Sequence, residues 1–119
     1  MTRILAVATH ATDDPTKSSL AFITAVGALG AGIDVGIALL GEAVYLANPA
    51  LAKSVQGVGI PPLWELIEKV VQGNVPVYVL RGCAAARGVT AENLKSLNAT
   101  FIDRTKFAEL VSEASVVSF

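Results

Sequence analysis

Residues 3–9 read RILAVAT, an unbroken apolar run behind a single arginine. A short run without alternation marks a strand covered on both faces, as in a parallel sheet. Asp14 followed by Pro15 reads as a helix start, with an N-cap carboxylate ahead of proline at the first helical position. The helix continues through SSLAFITAVGAL and is expected to stop near Gly30 and Gly32. Residues 33–40 give a second strand. Residues 41–61 are punctuated by glycine and proline and predict a long connection with at most a short helix over 42–46. Connections of this length are usually binding loops or interface elements.

Pro61 and Pro62 open a helix, LWELIEKVVQ, which Gly73 closes. VPVYVL, residues 75–80, is the third strand and ends at Arg81-Gly82-Cys83. A helical turn over 84–87 stops at Gly88. A small helix over 90–97, a strand over 99–102, a helix over 104–113 and a strand over 115–118 complete the pattern. Strands alternating with helices predict a single α/β domain, residues 1–119, around a parallel sheet.

Composition narrows the function. Hydrophobic residues make up 53% and charged residues 16%, against about 25% charged in ordinary domains. That excludes disorder and points to apolar surface hidden between subunits, with residues 41–61 and Trp64 as the expected contributors. Nine basic and ten acidic residues leave a net charge of −1, so no nucleic-acid partner is expected. One cysteine cannot close an intrachain disulfide, and one histidine with one cysteine cannot complete a four-ligand structural zinc site. Neither a metal nor another cofactor is expected. The longest uncharged stretch, residues 18–33, is broken by Gly27, Gly30 and Gly32. It is shorter than the roughly 20 residues of a membrane helix, so a cytoplasmic location without a membrane partner is expected.

In a parallel sheet the loops after the strands gather on one rim, where ligands bind. Those loops carry His10 and Asp13, then Gly41 and Glu42, then Arg81, Gly82 and Cys83. Cys83 is the sharpest candidate. Gly82 would let the chain turn tightly out of the strand, and helix-end N–H groups would favour a thiolate. Arg81 and Arg87, the only charged residues between Lys69 and Glu92, push the same way, and Arg87 is expected to contribute more. The alternative is that Cys83 is a small buried hydrophobe. His10 could polarise a ligand or exchange a proton near Cys83; equally, it could bond a loop carbonyl or cap a helix. Asp13 and Asp14 read first as helix-start residues. A P-loop, a dinucleotide-binding glycine motif and a CxxC pair are all absent from the sequence.

ILAVATHATDDPTKSSLAF, VGIALLGEAVYL, VQGVGIPPLWELIEKVV and RGCAAARGVT together resemble the DsrE/DsrF-like family, the TusD- and YchN-related sulfur-relay proteins. Its most specific piece is Cys83 followed by Ala84, Ala85, Ala86, Arg87 and Gly88. The resemblance implies a three-layer α/β/α sandwich with a five-stranded parallel sheet, assembled into trimers or hexamers. It also implies that Cys83 accepts sulfane sulfur as a persulfide, making the protein a sulfur carrier or sulfurtransferase. His10, Arg81, Gly82 and Arg87 would form the surrounding substrate-binding set. With no second cysteine, sulfur must come from a donor protein and leave to an acceptor protein, such as a TusA-like carrier. Two other readings stay open. One is a non-catalytic oligomeric subunit that binds a small anion or nucleotide, with Cys83 structural. The other is a peroxide-sensing thiol, which the missing resolving cysteine disfavours.

Overall fold

Five strands form one sheet in the order β4-β3-β2-β1-β5, every neighbouring pair parallel. The computed structural model describes residues 3–119; residues 1 and 2 of the expected domain lie outside the described residues. The elements run β1 (Arg3–Ala8), α1 (Pro15–Gly30), β2 (Val35–Leu39), a 3-10 helix (Gly41–Ala47), α2 (Pro49–Ala52), α3 (Leu63–Gln72), β3 (Val77–Leu80), α4 (Arg81–Ala86), a second 3-10 helix (Asn93–Leu97), β4 (Ala99–Ile102), α5 (Arg104–Ser112) and β5 (Ala114–Ser118).

The order of the strands dictates the layers. From β1 to β4 the chain steps one strand at a time in one direction. Right-handed crossovers then place α1, α3 and the short helices on the same face. The step from β4 to β5 runs back across the whole sheet, so α5 crosses on the opposite face. The result is the expected three-layer sandwich, with unequal outer layers. The larger core packs Phe22, Ile37, Leu39, Leu63, Ile67, Val70, Val77 and Val79 beneath α1 and α3. The smaller one holds Leu5, Val7, Ala38, Ile102 and Leu110, flanked by Tyr78, Leu80 and Phe107. Successive β1 residues alternate between the two cores, which is why residues 4–8, ILAVA, show no polar positions.

Asp14 caps α1 as its sequence predicts, accepting from the Lys17 N–H at 3.0 Å. Three expectations need correction. The second strand starts at Val35 instead of residue 33, because Ile33 is exposed and Asp34 turns outward to pair with Arg3 at 3.0 Å. The third starts at Val77, beyond Pro76. Most importantly, residues 41–61 are not mainly an open loop. Ala43, Val44, Leu46 and Ala47 of the 3-10 helix, with Ala52 and Val55, are buried in the chain's own larger core. Trp64 is half-buried against that same core, with the Lys53 ammonium 4.8 Å from its ring centroid. Among the described residues, no helix is long and apolar enough to cross a membrane.

Candidate functional site

β3 passes directly into α4: Leu80 is the last strand residue and Arg81 the first helical one. The helix therefore begins three residues earlier than the turn expected at residue 84, and Cys83 lies in its first turn. Gly82 is an ordinary helical residue. Its φ is not positive, and a Cβ there would meet nothing within 4 Å, so no tight turn depends on it. Gly88 does fill such a role. At φ +68 it ends the segment in a conformation open mainly to glycine.

Cys83 is a free thiol of intermediate exposure. One side packs against the larger core. The other lines an open cleft of about 610 Å³ with Leu80, Arg81, Gly82, Ala85, Asp103 and Arg104. The thiol thus sits at the C-terminal rim of the sheet, where the topology predicts a site. The guanidinium carbon of Arg81 lies 4.8 Å from the Phe101 ring centroid. At that distance the guanidinium charge is attracted to the ring face.

Arg87 is engaged differently. Its Nε and Nη2 lie 3.0 and 2.9 Å from Glu42 Oε1, and its Nη1 donates to the Cys83 carbonyl oxygen at 3.2 Å. Arg87 therefore reaches the backbone of Cys83, and its charge is shared with a carboxylate. Glu42 arrives from the 3-10 helix after β2, one strand over, so the ion pair joins two neighbouring rim loops.

His10 is not part of this cluster. β2 lies between β1 and β3, so the rim position of His10 is two strand spacings from that of Cys83, about 10 Å. Among the described residues no hydrogen bond joins the two. His10 Nδ1 lies 3.2 Å from Thr9 Oγ1 and 3.4 Å from the main-chain oxygen of Phe119. The Thr9 hydroxyl already donates its proton to that same oxygen at 2.7 Å. Both neighbours of Nδ1 can then only accept, which assigns the neutral ring's proton to Nδ1 and leaves Nε2 as the basic nitrogen. Asp13 accepts from the Ala11 N–H at 2.7 Å, a local turn contact.

Asp103 and Arg104 also line the cleft, although no sequence motif singles them out. Asp103 caps α5 by accepting from the Lys106 N–H at 2.8 Å. Both residues follow β4, so the rim rule that selected Cys83 would have selected them too. Among the described residues, no group of three or more His, Cys, Asp or Glu side chains could hold a metal ion.

The fold is shared with solved structures. The YchN protein of E. coli superposes with a TM-score of 0.77 at 20% identity, over 100% of both chains. A conserved protein of unknown function from Bacteroides thetaiotaomicron gives 0.69 at 17% identity, over 98% of this chain and 94% of that one. No curated protein sequence matches the chain. The family match is broader than any single motif, running from residue 2 to residue 119, and by it the chain belongs to the DsrE/DsrF-like family.

Proposed function

We propose that this protein is a sulfur-relay carrier that holds sulfane sulfur on Cys83. The observation that carries this reading is the position of the one cysteine, with its thiol on an open cleft at the rim of the sheet. Family membership supports it. In the transfer step the Cys83 thiolate attacks the outer sulfur of a donor persulfide, R–S–SH. A new S–S bond forms to Cys83, the S–S bond of the donor persulfide breaks, and R–S⁻ departs with its electron pair. The sum is Cys83–S–SH and a thiolate, with no external oxidant or reductant. Passing sulfur to an acceptor thiolate repeats the exchange with Cys83 as the leaving group.

Arg81 offers its N–H edge to the anionic persulfide, and Gly82 leaves the approach to the thiol free of side-chain bulk. Arg87 acts on Cys83 from behind, through the carbonyl oxygen. His10, two strands away, serves the rim where a partner docks. In this reading the carrier works in the cytoplasm as a trimer or hexamer. It exchanges sulfur with a donor protein and an acceptor such as a TusA-like carrier.

Incubation with a persulfidated donor protein, followed by intact mass measurement, tests the step. The wild type is expected to gain the mass of one sulfur, and Cys83→Ser to gain none. An unmodified wild type, or equal modification of the Ser variant, rejects the proposal. A second reading has one observation in its favour, the packing of Cys83 against the larger core. If the cysteine is structural in a small-anion or nucleotide-binding subunit, its native alkylation will be far slower than on unfolding.

A further inference from the structure

We infer that Glu42 is a positioning residue for Cys83, acting through Arg87. Three contacts carry the inference. Glu42 Oε1 takes both Nε and Nη2 of Arg87, at 3.0 and 2.9 Å, and Nη1 of the same guanidinium reaches the Cys83 carbonyl oxygen at 3.2 Å. An arginine whose planar fork is held at two nitrogens has little freedom at the third. Glu42 therefore decides where the Arg87 charge stands relative to the thiol. Covalent geometry keeps Sγ within roughly 8 Å of any group bonded to its own residue's carbonyl oxygen, close enough for that charge to act on the thiolate.

Other groups surround the thiol. Across the cleft stand Arg81, Asp103 and Arg104. The 3-10 helix that carries Glu42 also carries Tyr45, packed against the larger core, whereas Tyr78 of β3 packs against the smaller core on the opposite face. Two features set the Glu42–Arg87 pair apart. It is hydrogen-bonded to the backbone of Cys83, and its partners cancel. With Glu42 ionised, the positive field of Arg87 is largely neutralised. The charge that Arg87 presents to the Cys83 sulfur is then smaller than that of a bare arginine. A thiolate beside a weaker positive charge attacks better and leaves more slowly, so the pair serves the uptake half of the relay at some cost to release, where Cys83 is the leaving group. That purpose rests on the relay reading; the coupling itself does not.

The test is the pH profile of Cys83 alkylation by iodoacetamide, which is uncharged and needs no sulfur donor. Glu42→Gln preserves the shape of the side chain and removes its charge. Its alkylation midpoint is expected to fall by about 0.5 pH unit as Arg87 is unmasked. Arg87→Gln is expected to raise the midpoint by a similar amount. In an Arg87→Gln background, Glu42→Gln should then move the midpoint by less than half as much as it does alone. Thermal melts on the same variants separate folding from tuning. A Glu42→Gln protein that loses stability with an unmoved midpoint overturns the inference. So does an equal shift with and without Arg87, which would mean that Glu42 acts on the thiol directly. Failure of sulfur transfer with the coupling intact would instead reject the relay alone.

Discussion

Gly82→Ala separates two jobs that a glycine beside a reactive thiol can have. The residue sits in the first turn of α4 with a helical backbone, and an added Cβ would find open space. Alanine in such a place restricts the unfolded chain without straining the folded one, a gain of about 0.4–1 kcal/mol. Unfolding entropy near 2.1 cal/mol/K per residue comes to about 250 cal/mol/K for 119 residues. The melting temperature should therefore rise by about 2–4 °C. Differential scanning calorimetry at fixed protein concentration reads the change. Alkylation of Cys83 by a small reagent should stay as in the wild type, because one methyl group does not close a cleft of about 610 Å³. Sulfur uptake from a protein donor should slow several-fold, since the methyl would stand where the donor surface must approach. A lower melting temperature refutes the structural part of this reasoning, because it would mean that the backbone at 82 requires glycine. Unchanged uptake would show that the bare surface is not used for docking.

Two further substitutions test the scaffold. Leu110, 7% exposed, is the buried anchor of α5 in the smaller core. Leu110→Ala should cost about 2–4 kcal/mol, seen as a lower urea midpoint with an unchanged slope. Asp14→Ala removes the 3.0 Å cap on Lys17 N. It should cost about 1 kcal/mol, while Pro15 still fixes where α1 begins, so circular dichroism should show nearly undiminished helix content alongside a lower melting temperature.

β1 and β2 were readable because they alternate between two buried faces, leaving apolar runs such as VGIAL, buried at all five positions. Their order was less so. Similar apolar runs carry little information about which neighbour each prefers; the order puts β2 in the middle, with β1 beside it and still inside the sheet. Residues 41–61 were misread for a physical reason. Ala43 and Leu46, and likewise Val44 and Ala47, are three apart, the spacing that stacks side chains on a 3-10 helix. That period differs from both the strand and the α-helix patterns. Gly82 was read as a turn because glycine usually marks one, yet here it lies inside a helix with empty space in front. The rim position of Cys83 was legible from topology alone. Its link to Glu42 was not, because Glu42 and Arg87 are 45 positions apart and meet only when β2 and β3 pair.

The return of the chain across the sheet has a consequence for biosynthesis. β5 pairs with β1, Arg3 opposite Ala114 and Val7 opposite Ser118, so the first described strand waits for the last. Until α5 and β5 emerge, Leu5, Val7 and Ala38 lack their cover from Leu110, and one edge of β1 has no partner. A nascent chain paused before residue 104 would therefore present both an apolar sheet face and an unpaired strand edge, the two features that chaperones and aggregation compete for. Speed of synthesis through the final helix and strand thus bears on yield in a way that the stability of the finished fold would not reveal.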